Sequence, residues 1–462
     1  MPRKFIPYFG LLLIFLNAYT VNAQVLTLKE ALATALANYG TIEAKNNYAN
    51  ASNSIIKQTR REYLPNFTIS AQQDYGTING QNGPQYGLGG LGTASSGPAL
   101  EKQNWNAAFG ALYLANINWD FFTFGRIRQR IQVADAAFQR DKSDLEQEKF
   151  QHEIRVTAAY LNLLASQRLT KSQEKNLSRA LTFQNIAIIR AKNGLIAGVD
   201  SSFAKAEVSS AKIALTRAKD VEQEQANRLG VLMGAIATNY VIDTAAITKI
   251  PANLLSGNID TNHPVLKFYQ NRIDVSNRQV DYFKKLYYPV FSFFGVMQGR
   301  GSGFSSNYLL NQTAYSTSYF DGINPSRANY LIGIGMTWNL TTLLRNHPQV
   351  RAQQFTSEAL KDEYDLADQQ LKAQLALAES KLSNALDNYK EAPIQVKAAS
   401  DAYLQKNVLY KNGLTNLVDL AQTLFALNRA ETDRDIAYTN VWQALLLKSA
   451  ALGNFELFIN EF

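Results

Sequence analysis

Residues Ala191 to Glu207 read AKNGLIAGVDSSFAKAE, and Tyr410 to Ala426 read YKNGLTNLVDLAQTLFA, so Lys-Asn-Gly-Leu and Val-Asp recur 219 positions apart. The first copy closes residues 126–193, which hold neither Gly nor Pro and are rich in the strong helix formers. Gly194 and Gly413 sit where these helices stop, because glycine just past a helix end takes the left-handed conformation cheaply. Asp200 and Asp419 then fall where a return helix begins, a preferred N-cap position. Gln422, three residues after Asp419, suits a capping box. The pattern predicts two helical hairpins of the same design.

Working outward, the whole chain is written twice. Thr41 to Phe67 (TIEAKNNYANASNSIIKQTRREYLPNF) aligns with Val265 to Phe291 (VLKFYQNRIDVSNRQVDYFKKLYYPVF) at an offset of 224. Ser52-Asn53 falls on Ser276-Asn277, and Tyr63-Leu64-Pro65 on Tyr287-Tyr288-Pro289. At an offset of 219, NWDFFTFGR from Asn118 meets TWNLTTLLR from Thr337, and Gly234 meets Gly453. The expected organisation is a first repeat at 24–234, a linker at 235–262, a second repeat at 263–453 and a tail at 454–462. Each half runs helix, strand, loop, strand, very long helix, turn, helix.

Ile127, Ile131, Ala134, Phe138 and Leu145 keep coiled-coil-like spacing in the first long helix, with polar Asp141 and Glu148 where strict heptads would be apolar; its length is roughly 100 Å. The second, expected at 349–412, contains Pro393, which should kink or break it. The first helix (28–62) and the return helix (201–233) together nearly match the long one, so they are expected to lie end to end beside it.

The strands alternate. Phe109, Ala111, Tyr113, Ala115, Ile117 and Trp119 share one face. In the second half Tyr330, Ile332, Ile334, Met336 and Trp338 face one way, with Gly333, Gly335 and Thr337 on the other. Period-two alternation over about ten residues, ending in Trp or Tyr, fits a transmembrane strand with an aromatic girdle at Trp119, Tyr330 and Trp338. A soluble four-stranded sheet packed on helices is the alternative. It would need an apolar helix face to cover it, and these helices are mostly polar. The connections 76–106 and 299–328, rich in Gly, Ser, Asn and Tyr, read as surface loops.

Four strands cannot close in lipid, where an open edge is not tolerated. Two chains would give eight strands with a filled interior, whereas three would give twelve and leave a lumen. The expected fold is therefore a mixed α/β membrane protein: a trimeric 12-stranded β-barrel continuous with a long α-helical barrel.

Arg3 and Lys4 precede the apolar run FIPYFGLLLIFL and a small-residue VNA before Gln24, the pattern of a secretory signal peptide cleaved after Ala23. The run is too short to span a bilayer of ~30 Å. The chain has no cysteine, so it holds neither a disulfide nor a thiolate metal site, nor a lipid on an N-terminal cysteine. Its formal charge of +8 is spread among Glu and Asp on helices, which suits a solvated surface better than nucleic acid. His263-Pro264 and His347-Pro348 are each expected to open a helix. With His152 they have no spacing for a metal site, and NGPQYGLGGLGTASSG lacks the lysine and setting of a phosphate loop. Nothing pairs a carboxylate with a nucleophile, so no enzyme and no cofactor are expected.

These features together resemble the TolC family of bacterial outer membrane efflux proteins. The resemblance rests on the opening LTLKEALATALANYGTIEA, the junctions YLPNFTIS and YYPVFSFF, the paired segments KNGLIAGVD and KNGLTNLVD, and the duplication itself. It implies a homotrimer in the outer membrane with its helical tunnel in the periplasm, docking a periplasmic adaptor (membrane fusion) protein and an inner-membrane pump. It further implies that Gly194, Leu195, Gly413 and Leu414 meet the adaptor. Asp200 and Asp419 would then form a constricting acidic rim, since carboxylate rings favour cations. Lys192, Tyr410 and Lys411 would tie neighbouring hairpins together. Family members bear a further acidic residue where this chain has Gln422, so the rim is expected to be thinner here. A type I polypeptide secretion duct shares this architecture. A periplasmic coiled-coil scaffold would follow if the strands proved soluble.

Overall fold

The computed structural model describes residues 25–80, 99–235, 240–242, 249–251, 259–260 and 262–462. The signal segment, most of the linker and the middle of the first connection lie outside them. In chain order the elements are β1 (Val25–Leu26), α1 (Leu28–Asn38), α2 (Gly40–Arg61), β2 (Asn66–Thr77), β3 (Ala107–Phe122), α3 (Arg126–Lys192), α4 (Gly198–Leu232) and β4 (Val241–Ile242). There follow α5 (Pro264–Lys285), β5 (Val290–Ser302), α6 (Tyr319–Ile323), β6 (Arg327–Thr337), α7 (Thr342–Lys411), α8 (Leu417–Leu452) and α9 (Glu456–Glu461). The chain forms two compact units, each drawing on both repeats: one of residues 1–44, 146–266 and 367–462, the other of 45–145 and 267–366.

The first unit is helical. Its core gathers Tyr160, Leu161, Leu163 and Leu164 of α3, Leu229 of α4, and Trp442 and Leu445 of α8, all at most 2% exposed. β1 and β4 pair in parallel beside it, and the Tyr160 hydroxyl donates to the Leu26 carbonyl at 2.9 Å. The 454–462 tail belongs to this core: α9 buries Phe458 completely, 6.0 Å from the Trp442 ring.

Three sequence expectations are corrected here. The single helix expected at 28–62 is broken at Tyr39, whose extended backbone lets its ring stack on buried His152 at 3.8 Å. Tyr39 aligns with His263, where α5 starts, so α2 and α5 are the matching helices. Pro393 does not interrupt α7, which is continuous over 70 residues. A proline has helical φ but removes one ladder bond; on either side of it Tyr389 stacks on Tyr438 of α8 at 4.4 Å and Gln395 reaches Asp433 at 3.4 Å. His347-Pro348 lies inside α7 rather than opening it, whereas Pro264 does open α5. There His263 accepts the Val265 N–H on Nδ1 at 3.2 Å and faces the Ala450 carbonyl through Nε2 at 3.2 Å.

The second unit carries a four-stranded antiparallel sheet of order β2-β3-β5-β6, with α2, α5 and the first parts of α3 and α7. The matched serines Ser52 and Ser276 each bond a long helix. Ser52 donates to Asp141, and Ser276 meets Ser357 at 2.8 Å and Gln353 at 2.7 Å. The matched tryptophans behave alike too. Trp119 Nε1 donates to the Tyr63 carbonyl at 2.8 Å, and Trp338 Nε1 to the Tyr287 carbonyl at 3.1 Å. Each indole thereby pins a Tyr-X-Pro turn, where a helix passes into a strand, to the far end of the sheet's return path. Trp338 directly follows the last residue of β6, whereas Trp119 lies inside β3, which runs on to Phe122.

Candidate functional site

The two hairpins predicted from the repeat are present in the helical unit. Gly194 and Gly413 have φ of +73° and +75°. Each donates to the carbonyl three residues back, and the following Leu195 and Leu414 N–H groups reach Arg190 and Leu409 at 2.9 Å. That pair of bonds satisfies the orphan carbonyls of both helix ends in the same way.

The return helices begin earlier than expected, and the aspartates are not their N-caps. Ala197 occupies the N-cap of α4 without a side-chain bond, and Asn416 caps α8 by accepting the Asp419 N–H at 2.8 Å. Both aspartates sit one turn further in, at the third helical position, where a carboxylate still faces the helix dipole. Gln422 therefore lies outside any capping box. The two positions also differ. Asp419 accepts from Lys406 Nζ and Thr415 Oγ1, both at 2.9 Å, and these bonds hold its carboxyl below the usual range. The Asp200 carboxylate is close enough to Tyr410 to help raise its pKa.

What binds one hairpin to the other inside a single chain is Arg190, which the sequence reading missed. Its guanidinium donates to the Tyr410 carbonyl, reaches the Lys411 carbonyl at 3.4 Å and lies over the Tyr410 ring, 4.9 Å from the centroid. Tyr410 is 1% exposed and its hydroxyl has no partner among the described residues. Burial pushes its pKa up, against the pull of Arg190. Phe183, Ala187, Ala204, Leu417, Leu420 and Ala421 close the apolar contact around it.

Two further arginines of α3 repeat the gesture. Arg179 forks onto Glu431 at 2.7 and 2.9 Å, and Arg168 reaches buried Asp435 at 3.0 Å. Arg168, Arg179 and Arg190 are spaced by 11 residues, close to three helical turns, so they project from one stripe toward the second repeat. The 11-residue spacing is visible in the sequence and was the available signal. So was the mismatch of Arg190 with Leu409 in an otherwise matched segment. Lys192, Lys411, Gly194 and Gly413 are exposed, as are Leu195 at 63% and Leu414 at 72%.

The second candidate surface is the sheet. Its register aligns the two predicted apolar rows: Phe67, Ile117, Gly295 and Ile332 form one rung, and Ile69, Ala115, Met297 and Tyr330 the next. Beyond them Trp119 pairs with Phe293, and Phe293 with Ile334. This face is apolar and open, with Ile69, Tyr330, Ile334 and Ile332 between 65% and 82% exposed. The opposite face presents Asn66, Thr68, Ser70, Gln72, Asn116, Asn118, Gln298 and Asn329 among fewer apolar residues. No helix among the described residues is long and apolar enough to cross a membrane.

Residues 31–235 match the family of outer membrane efflux proteins. Among solved structures, the chain is similar to the Campylobacter jejuni CmeC outer membrane channel (TM-score 0.73, 13% identity, 92% of this chain and 85% of that one). It is likewise similar to the outer membrane protein VceC of Vibrio cholerae (0.71, 16%, 92% and 96%) and to the open state of the Neisseria gonorrhoeae MtrE outer membrane channel (0.72, 14%, 92% and 89%). No curated protein matches the chain significantly.

Proposed function

We propose that this chain, whose residues 31–235 belong to the outer membrane efflux protein family and which has the fold of outer membrane channels over 92% of its length, is the outer-membrane exit duct of an efflux system. The observation that carries this reading is the sheet: one face largely apolar and open across all four strands, the other mostly polar. Alternation of that kind is what a membrane barrel requires, apolar toward lipid and polar toward the lumen. β2 and β6 each keep one unpaired edge, and an edge in hydrocarbon leaves backbone groups unsatisfied. Three copies joined β6 to β2 close twelve strands and leave a lumen.

In the trimer the helical units form the periplasmic tunnel. Its mouth carries Asp200 and Asp419, and its exposed Leu195 and Leu414 meet the adaptor that links the duct to an inner-membrane pump. Because Asp419 is already engaged by Lys406 and Thr415, Asp200 contributes more to an acidic rim. The duct is passive and uses no cofactor.

The test is the protein mass of the mature, detergent-solubilised complex by light scattering, corrected for bound detergent, followed by single-channel conductance in planar bilayers. Three chains and an ion-conducting pore support the duct, with Asp200→Asn changing cation selectivity more than Asp419→Asn. A monomer that stays soluble without detergent would leave only a periplasmic scaffold.

A further inference from the structure

The connection between β5 and β6 does not stand free above the sheet. Its last part, α6 and residues 324–326, lies flat on the apolar face at one end. Tyr319 Oη donates to Gln73 Oε1 at 2.8 Å, and the Tyr113 hydroxyl donates to the Ile323 carbonyl at 3.2 Å. Gln73, Phe109, Tyr113, Gly299 and Gly301 all belong to the face that carries Ile69 and Tyr330. The approach is so close that only glycine fits on both sides. A Cβ at Gly301 would lie 2.6 Å from the Gly322 carbonyl oxygen, and one at Gly322 would lie 2.4 Å from the Phe109 backbone. The strap turns Tyr319 inward, 5.2 Å from the Phe109 ring, and leaves Phe320 76% exposed.

The height of the open apolar band says what meets Phe320. From Tyr330 to Trp338 the chain advances eight residues, about 26 Å at ~3.3 Å each. Strands tilted by about 40° stand only about 20 Å high over that length, whereas the apolar band of an outer-membrane barrel is ~25 Å. The strap begins one rung beyond Met297, where Pro325 covers Gly299. It is therefore placed to supply the missing few ångströms.

We propose that α6 is a lipid-facing strap that completes the membrane band, with Phe320 in the hydrocarbon boundary of the leaflet at that end of the barrel. The proposal rests on the membrane reading of the sheet. It gives the strap one occupant, lipid, because its exposed Phe320 stands at the end of the apolar face and the one polar side chain of that face beside it, Gln73, is bonded to Tyr319. The strap's acidic group, Asp321, accepts from the Ser316 hydroxyl at 2.7 Å.

The cysteine-free chain permits a clean test. Single cysteines at Phe320, Ile334 and Gln298 are labelled with a nitroxide in the full-length mature protein, reconstituted into phosphatidylcholine vesicles. Collision with oxygen, which partitions into lipid, is compared with collision with a water-soluble nickel chelate. The expected oxygen-to-nickel ratio is high at Ile334 and Phe320 and inverted at Gln298, on the polar face. A label at Phe320 that reads like Gln298, or that neither reagent reaches, overturns the strap while Ile334 upholds the membrane sheet. A water-like reading at Ile334 would sink the membrane reading itself. Gly322→Leu provides the second arm: by lifting the strap off Phe109 it should move the Phe320 label toward water and leave Ile334 unchanged. A Phe320 label indifferent to Gly322→Leu also overturns the proposal.

Discussion

Replacing Arg190 by alanine should loosen the two hairpins from each other without unfolding the helical unit. The change removes a charge-assisted hydrogen bond to the Tyr410 carbonyl, a long contact to the Lys411 carbonyl and a guanidinium stacked on the Tyr410 ring. A hydrogen bond to a charged group contributes about 1.5–3 kcal/mol, and a partly exposed cation–π contact about 0.5–1 kcal/mol. The Tyr410 carbonyl is not orphaned by the change, because it also accepts the Gly413 N–H at 3.0 Å. The loss therefore falls toward the lower end, about 2–3 kcal/mol. Local opening of the hairpins then becomes roughly 30- to 150-fold more frequent, at tenfold per 1.4 kcal/mol. Amide hydrogen exchange reads that population directly. The amides of Gly194, Leu195, Gly413 and Leu414 should exchange faster by this factor, while those around Trp442 in the core do not change. Arg190→Lys keeps the charge but not the fork and should fall between. Unchanged exchange at the hairpins would refute the reasoning, since the apolar cluster around Tyr410 would then hold them unaided. Acceleration spread evenly over the core would refute it too.

Trp119→Phe and Trp338→Phe each remove one indole bond to a turn carbonyl. Each should cost about 0.5–1.5 kcal/mol, additively because the two share no partner, as measured by thermal unfolding in detergent. Glu153 is pushed from its usual 4.5 up to about 7, first by burial and then by the nearby Glu146. An acid raised in the folded state binds more protons there than in the unfolded chain. Stability from this group is therefore full below pH 4.5 and is lost as pH rises through 7. Glu153→Gln should flatten the melting-temperature profile across that window, and an unchanged slope would rule Glu153 out as its source. Since α7 is unbroken at Pro393, Pro393→Ala should restore a bond to the Tyr389 carbonyl. It should stabilise the helical unit by about 1–3 kcal/mol, whereas a neutral or lower melting temperature would mean that Pro393 fits its site better than alanine.

The sequence by itself determined the two long helices, their hairpin stops and the four strands of the sheet, but not the break at Tyr39 or the short elements α6 and α9. The tandem match, the glycine stops at 194 and 413 and the two-residue alternation of the strands are local signals. They act through the backbone of each segment, so they read the same before and after folding. The faces of the strands were legible for the same reason, because side chains alternate whatever the partner. Only the tertiary structure decided how the copies differ. Asp200 and Asp419 occupy matched positions, yet Lys406, Thr415 and Asn416 engage only the second, and their counterparts Ala187, Ile196 and Ala197 have no polar side chain to do so. The Arg190 link to Tyr410 and the strap over Phe109 join residues 220 and 213 positions apart. Those meetings depend on two helices aligning a stripe and on two backbones approaching where glycine leaves room. The continuity of α7 through Pro393 was likewise visible only in the structure, where Tyr438 and Asp433 of α8 meet Tyr389 and Gln395 on either side of it. A propensity scale read along one strand of text carries no term for such contacts.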